Sequence, residues 1–122
     1  FLKKRNNIAT FYNENLKNLP IKKPFVKKYN YSSFHLYIIK TMDDKDGLIR
    51  KNLFDFLRSR DILVNVHYIP IHLQPFFGEL GFKKGDFPIA EKYYRNAISL
   101  PIFPDLSKES QEFVISSLKK FF

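Results

Sequence analysis

The stretch Val64-Asn65-Val66-His67-Tyr68-Ile69-Pro70-Ile71-His72-Leu73-Gln74-Pro75 sets how the whole chain reads. It opens as a buried-looking strand, then gathers two imidazoles, a phenol and a carboxamide, and is stopped by two prolines. Pro70 and Pro75 have no N–H to give a ladder, and each pushes the residue before it, Ile69 and Gln74, toward extended geometry. The sequence therefore predicts a strand that leaves its sheet as a stiff, extended loop. Polar side chains fixed on such a loop predict one wall of a ligand site, with the other wall outside these residues.

Upstream, Ile62 to Val66 reads as the end of a strand–helix–strand unit. Leu48, Ile49, Leu53, Phe54, Phe56 and Leu57 form an apolar stripe over 48–60, with Arg50, Lys51, Asp55 and Arg58 on the wet side. Asp44 or Asp46 is placed to cap that helix. Phe34 to Lys40 has strand length and composition, and strict alternation puts His35, Tyr37 and Ile39 on one face, read as a polar face open to a ligand. Further upstream, Ile8, Tyr12, Leu16 and Leu19 recur at helical spacing over 2–19, and Pro20 ends that helix. Residues 21–33 read as loop.

Downstream, 76–80 reads as one helical turn. Asp86 near a cap and Pro88 in a first turn predict a helix through Tyr94 or Asn96. Ala97 to Leu100 is a short strand ended by Pro101. Ser107 caps a last helix whose buried stripe is Phe113, Val114, Leu118 and Phe121. The sum is an α+β fold, a small, largely antiparallel sheet covered by helices.

Composition narrows the function classes. A chain of 122 residues, 44% hydrophobic and with 14 phenylalanines, is too rich in large apolar groups for disorder and long enough for one real core. Its lack of cysteine excludes thiol catalysis and zinc–thiolate sites and fits a reducing cytoplasm. No apolar run reaches the roughly 20 residues of a membrane span. The net charge of +9 is lopsided: residues 1–28 hold eight basic side chains against Glu14 alone, while the other 94 carry 13 basic and 11 acidic ones. A basic end attracts phosphates, so a nucleic-acid or polyanion-binding module is the competing reading, although a solvated lysine face explains the same charge. The chain opens at Phe1 inside what reads as a helix, which predicts a longer polypeptide upstream.

His35, His67 and His72 are the only imidazoles. Their spacing is not the i, i+4 helical pair of zinc enzymes and no carboxylate accompanies it, so no metal site is expected. No Ser sits on a nucleophile turn. His35 alone reads as a hydrogen-bonded strand residue, and Tyr37 and Tyr68 as aromatic core with a wet tip. The clustering of His67, Tyr68, His72 and Gln74 between prolines favours ligand contact. These groups suit hydrogen bonding to hydroxyls, carbonyls and phosphates rather than nucleophilic attack.

Several separated motifs carry a family resemblance: Ser33-Phe34-His35-Leu36-Tyr37, Val66-His67-Tyr68-Ile69-Pro70-Ile71-His72-Leu73-Gln74-Pro75, Phe87-Pro88-Ile89-Ala90-Glu91, Ile98-Ser99-Leu100-Pro101 and Phe103-Pro104. In this order they resemble the C-terminal part of the DegT/DnrJ/EryC1/StrS sugar aminotransferases, and the helix from Arg5 to Tyr12 resembles that family's interdomain helix, read here as 1–19. The His67 loop and the Gly81 to Pro88 segment are most similar to the pseudaminic acid pathway transaminases, which act on a UDP-linked 4-keto-6-deoxy amino sugar.

The resemblance implies a small domain, residues 1–122, of a homodimeric cytoplasmic enzyme that uses pyridoxal phosphate and glutamate. The Schiff-base lysine and the acidic partner of the pyridine nitrogen belong to an upstream domain, so no catalytic or cofactor-binding residue is assigned here. The isolated chain is expected to be inactive. His67, Tyr68 and His72 are expected to line the substrate cleft, with His35 and Tyr37 facing it from a neighbouring strand.

Overall fold

A computed structural model describes residues 1–122. The elements in chain order are α1 (Leu2–Asn15), β1 (Ile21–Lys22), β2 (Tyr37–Thr41), α2 (Leu48–Arg58), β3 (Asn65–Val66), a 3-10 turn (Ile71–Leu73), α3 (Pro75–Glu79), α4 (Pro88–Asn96), β4 (Ala97–Leu100) and α5 (Lys108–Phe121). The four strands form one sheet in the order β1-β2-β4-β3, antiparallel at every pairing. The architecture is the α+β one the sequence predicts. Because β4 lies between them, β2 and β3 run parallel to each other and are not neighbours, which makes β2–α2–β3 a split unit.

One face of the sheet carries the core. Tyr37, Ile39, Ile98 and Leu100 meet Ile8, Tyr12 and Leu16 of α1, Leu53 and Leu57 of α2, and Val114, Ile115 and Leu118 of α5 in a single apolar cluster. Alternation is kept in β2, where Tyr37, Ile39 and Thr41 are buried and Ile38 and Lys40 are half-buried. The open face is thus the reverse of the one expected: Tyr37 and Ile39 point inward. Tyr37 suits that position because its ring packs against Tyr12, at 5.1 Å between centroids, while its hydroxyl donates to Asn13 Oδ1 at 2.7 Å. The Tyr12 hydroxyl donates to the Pro101 carbonyl at 3.0 Å. Burial pushes both phenols well above the ordinary tyrosine pKa, with Tyr37 adding to the effect on Tyr12.

Further departures from expectation are local, and the strand expected over 62–66 is reduced to Asn65–Val66. The 34–40 strand starts only at Tyr37, because Phe34 adopts a left-handed conformation (φ 43°), its amide bonded to the Ser32 hydroxyl, and this bend removes His35 from the ladder. The first helix closes at Asn15, four residues before Leu19. Residues 21–33, read as loop, contribute β1 at one edge. Asp44 caps α2 by accepting from the Ile49 amide at 2.7 Å, across a left-handed Gly47. Ser107 caps α5 as expected. Asp86 does not cap α4; its carboxylate turns back to the Lys83 amide. Phe113 leaves the predicted buried stripe, its ring lying 5.0 Å from the Arg60 guanidinium instead.

Candidate functional site

The proline-framed loop is extended as expected at Pro70 and Gln74, but a 3-10 turn at Ile71–Leu73 interrupts it. After Val66 the chain leaves the ladder, Pro70 and Gln74 are extended, and a single 3-10 turn between them is followed by α3 with Pro75 in its first turn. His67 and Tyr68 stay together on the outgoing segment, with ring centroids 4.1 Å apart. Tyr68 is 70% exposed, so its hydroxyl is free for a ligand.

His72 goes the other way. It is buried, its ring packs on Phe87 at 4.8 Å, and its Nε2–H donates to Glu91 Oε1 at 2.8 Å. The same oxygen accepts the Gly85 amide at 2.7 Å. These donors, the His72 hydrogen bond first, hold the Glu91 carboxyl below the usual carboxylate range. Through this contact α4 fastens both ends of the 72–85 excursion. His72 therefore anchors the loop from beneath, and Nε2 is not available to a ligand.

His35 and Tyr37 do not face the loop. Tyr37 belongs to the core. His35 is exposed beyond the Leu100 end of the sheet, where Arg5 Nη1 of α1 lies 3.3 Å from its Nδ1. Val66 pairs with Ile98 and Lys40 with Ala97, so His67 emerges at the opposite end of the sheet, two strand spacings away. Strand rise and spacing put His35 and His67 on the order of 20 Å apart. The expectation of a shared wall assumed that β2 and β3 are adjacent, and β4 separates them.

Sequence reading missed Glu91, the partner of His72. A signal existed: a lone acidic residue in the first turn of α4, among aromatic and apolar neighbours. Around this His72–Glu91 latch, Pro70, Ile71, Phe77, Phe82, Phe87 and Ala90 border a shallow apolar cavity of about 380 Å³. The chain's own side chains do not assemble a pyridoxal phosphate site. None of its lysines is buried, and its buried carboxylate, Glu91, is already held by His72 and Gly85.

The family model for the DegT/DnrJ/EryC1/StrS aminotransferases matches residues 1–119. The chain belongs to this family. MJ1066 of Methanocaldococcus jannaschii is 38% identical over 120 residues, which cover 97% of this chain and 31% of that protein. Spr1654 of Streptococcus pneumoniae, assigned as a sugar aminotransferase, superposes with a TM-score of 0.90 at 29% identity over 98% of this chain and 30% of that one. PseC of Helicobacter pylori, an aminotransferase involved in the biosynthesis of pseudoaminic acid, gives a TM-score of 0.87 at 32% identity over 99% of this chain and 32% of that one. The 122 residues thus span about a third of the length of these relatives, and the part matched is C-terminal.

Proposed function

We propose that residues 1–122 are the C-terminal small domain of a pyridoxal phosphate-dependent nucleotide-sugar aminotransferase, with α1 as its interdomain helix. The observation that carries this reading is the end-to-end match of sequence and fold to sugar aminotransferases. In the complete enzyme the cofactor supplies electron-sink chemistry from the upstream domain, and glutamate is the amino donor. The acceptor is the keto carbon of a UDP-linked 4-keto-6-deoxy amino sugar, the class implied by the resemblance of the His67 loop and the Gly81 to Pro88 segment to the pseudaminic acid pathway transaminases. A cytoplasmic homodimer is the expected assembly.

In this reading the residues of the chain bind and orient substrate. Tyr68 presents a free hydroxyl to the sugar and His67 supports its ring, while the His72–Glu91 contact keeps the loop in register. The test is amino transfer by the complete gene product, with product separated by chromatography and isotopic nitrogen followed from glutamate. Tyr68→Phe is expected to raise KM for the sugar nucleotide several-fold and leave the cofactor's absorbance unchanged. A complete protein that transfers no amino group to any nucleotide keto-sugar would refute the assignment. The isolated chain is expected to form no borohydride-trappable adduct with pyridoxal phosphate at stoichiometric level. The competing polyanion module predicts salt-dependent binding of generic DNA through Lys3 to Lys28, which the aminotransferase reading does not.

A further inference from the structure

Register places Lys22 of β1 directly opposite Lys40 of β2. Directly opposed side chains share a face, with Cβ atoms about 5 Å apart, and like charges in that relation repel. Neither lysine has a carboxylate partner: the ion pairs of the fold use Lys4, Lys51, His72, Lys92 and Arg95. A lysine on an edge strand discourages strand addition, which accounts for Lys22. It does not account for Lys40, whose strand lies between β1 and β4.

The two lysines border a hollow of about 260 Å³ that α4 closes with Lys92, Tyr93 and Asn96. That volume falls just below the roughly 300 Å³ at which pockets for whole small molecules begin, and it suits a fragment. The Lys40 ammonium is held 5.6 Å from the centre of the Tyr93 ring. Asp43 borders the same hollow, but its charge is already shared by Lys92 at 2.9 Å and Arg95 at 3.8 Å, and the Asn96 amide donates to it. Asn96 is buried, and its Oδ1 is an acceptor without a partner. That oxygen is sealed from solvent and offers a ligand nothing, whereas the cations in excess of the one shared carboxylate call for an anionic ligand.

We propose that this hollow is a binding site for a phosphate-bearing ligand of the diphosphate class, held by Lys22 and Lys40 against the wall of α4. The inference deepens the aminotransferase reading and rests on it for the natural ligand, the diphosphate of a nucleotide sugar. The same helix serves both places: Glu91 latches the His72 loop, and Lys92, Tyr93 and Asn96 wall the hollow.

The test is titration of the 122-residue chain with pyrophosphate at physiological ionic strength, followed by amide shifts and calorimetry. Lys40→Gln and Lys22→Gln are each expected to weaken binding about tenfold, the scale of one charge-assisted hydrogen bond. Lys119→Gln on α5 should leave it unchanged. Asp43→Asn, which removes the competing carboxylate, should tighten binding several-fold, an opposite sign that loss of folding cannot imitate. Equal weakening by all three lysine variants, or no saturable binding by the parent chain, would overturn the site. So would a duplex oligonucleotide that displaces pyrophosphate stoichiometrically from the same residues. UDP binding tighter than pyrophosphate assigns the nucleotide as the source. Failure of amino transfer by the complete enzyme would leave pyrophosphate binding at Lys22 and Lys40 measurable, so the two readings fail separately.

Discussion

Replacing Tyr37 by Phe tests whether α1 is fixed to the sheet through polar contacts inside the core. The substitution keeps the ring and its packing on Tyr12 and deletes one hydroxyl, which now donates to Asn13 Oδ1 at 2.7 Å. A buried hydrogen bond is worth about 0.5–1.5 kcal/mol net, and an acceptor left without any partner costs about 1–3 kcal/mol. Asn13 is only half-buried, so water reaches the abandoned oxygen and the smaller figure governs. The expected loss is about 1 kcal/mol at pH 7, read from urea melts followed by circular dichroism.

The same variant should change the alkaline limb of stability. Burial raises the folded-state pKa of Tyr12 and Tyr37. Each therefore favours the fold below the unfolded tyrosine value of about 10, and that advantage is lost as pH rises beyond it. The limiting slope is about 1.4 kcal/mol per pH unit for each tyrosine, reduced by solvent screening near the hydroxyls. Tyr93, more exposed, shifts in the same direction and adds a smaller share. Tyr37→Phe should flatten the decline above pH 10 by close to one proton. Identical slopes in the parent and the variant, together with no loss at pH 7, would refute the view that this hydroxyl is buried and bonded in the folded chain.

Other perturbations probe the remaining joints. Leu57→Ala empties a fully buried position between α2 and the sheet and should cost about 2–5 kcal/mol in the same melts. Gly47→Ala should destabilise by at least about 1 kcal/mol, because Gly47 has φ +68° and an added Cβ would sit 3.3 Å from the Arg95 carbonyl oxygen. Glu91, with its folded pKa lowered by His72 and Gly85, contributes stability above the unfolded carboxyl value of about 4.5 that is lost as pH falls through the folded value. Glu91→Gln should therefore flatten the acid limb, and amide exchange should speed up in 72–85 before the core loosens.

What the sequence makes legible here is periodicity and punctuation. Ala97 to Leu100 and the Ser107 cap follow from local chemistry alone, and the structure has both; the strand before His67 is shorter than expected, Asn65–Val66 alone, and ends four residues ahead of Pro70. The face of β2 that points inward was not legible, because alternation groups His35, Tyr37 and Ile39 without saying which side is wet. Tyrosine counts as polar on paper, yet a partner 24 residues away, Asn13, makes its burial cheap. Strand order was equally hidden. Nothing local announces that β4 enters between β2 and β3, and that one fact separates His35 from His67. The two-residue β1 gives no periodic signal, so the Lys22–Lys40 opposition is visible only once pairing is known.

The buried histidine shows why a motif is not yet a site. His67 and His72 stand five residues apart on one stiff loop, and sequence logic treats them alike. Folding divides them, because an extended segment interrupted by a 3-10 turn cannot keep both side chains on one side. His72 finds a carboxylate inside and His67 a phenol outside. The division has a mechanical use: a loop that must hold a ring in place for a ligand needs its own backbone held, and the prolines stiffen it without fastening it to anything. Glu91 supplies that attachment from α4, and the helix is itself continuous with the central strand β4. A displacement of the hollow beside Lys40 and a displacement of the Tyr68 loop would thus both pass through α4. If the complete enzyme uses both places, Glu91→Gln should raise KM for the sugar nucleotide and leave pyrophosphate affinity at the lysines unchanged, since the latch and the anion site occupy different faces of that helix.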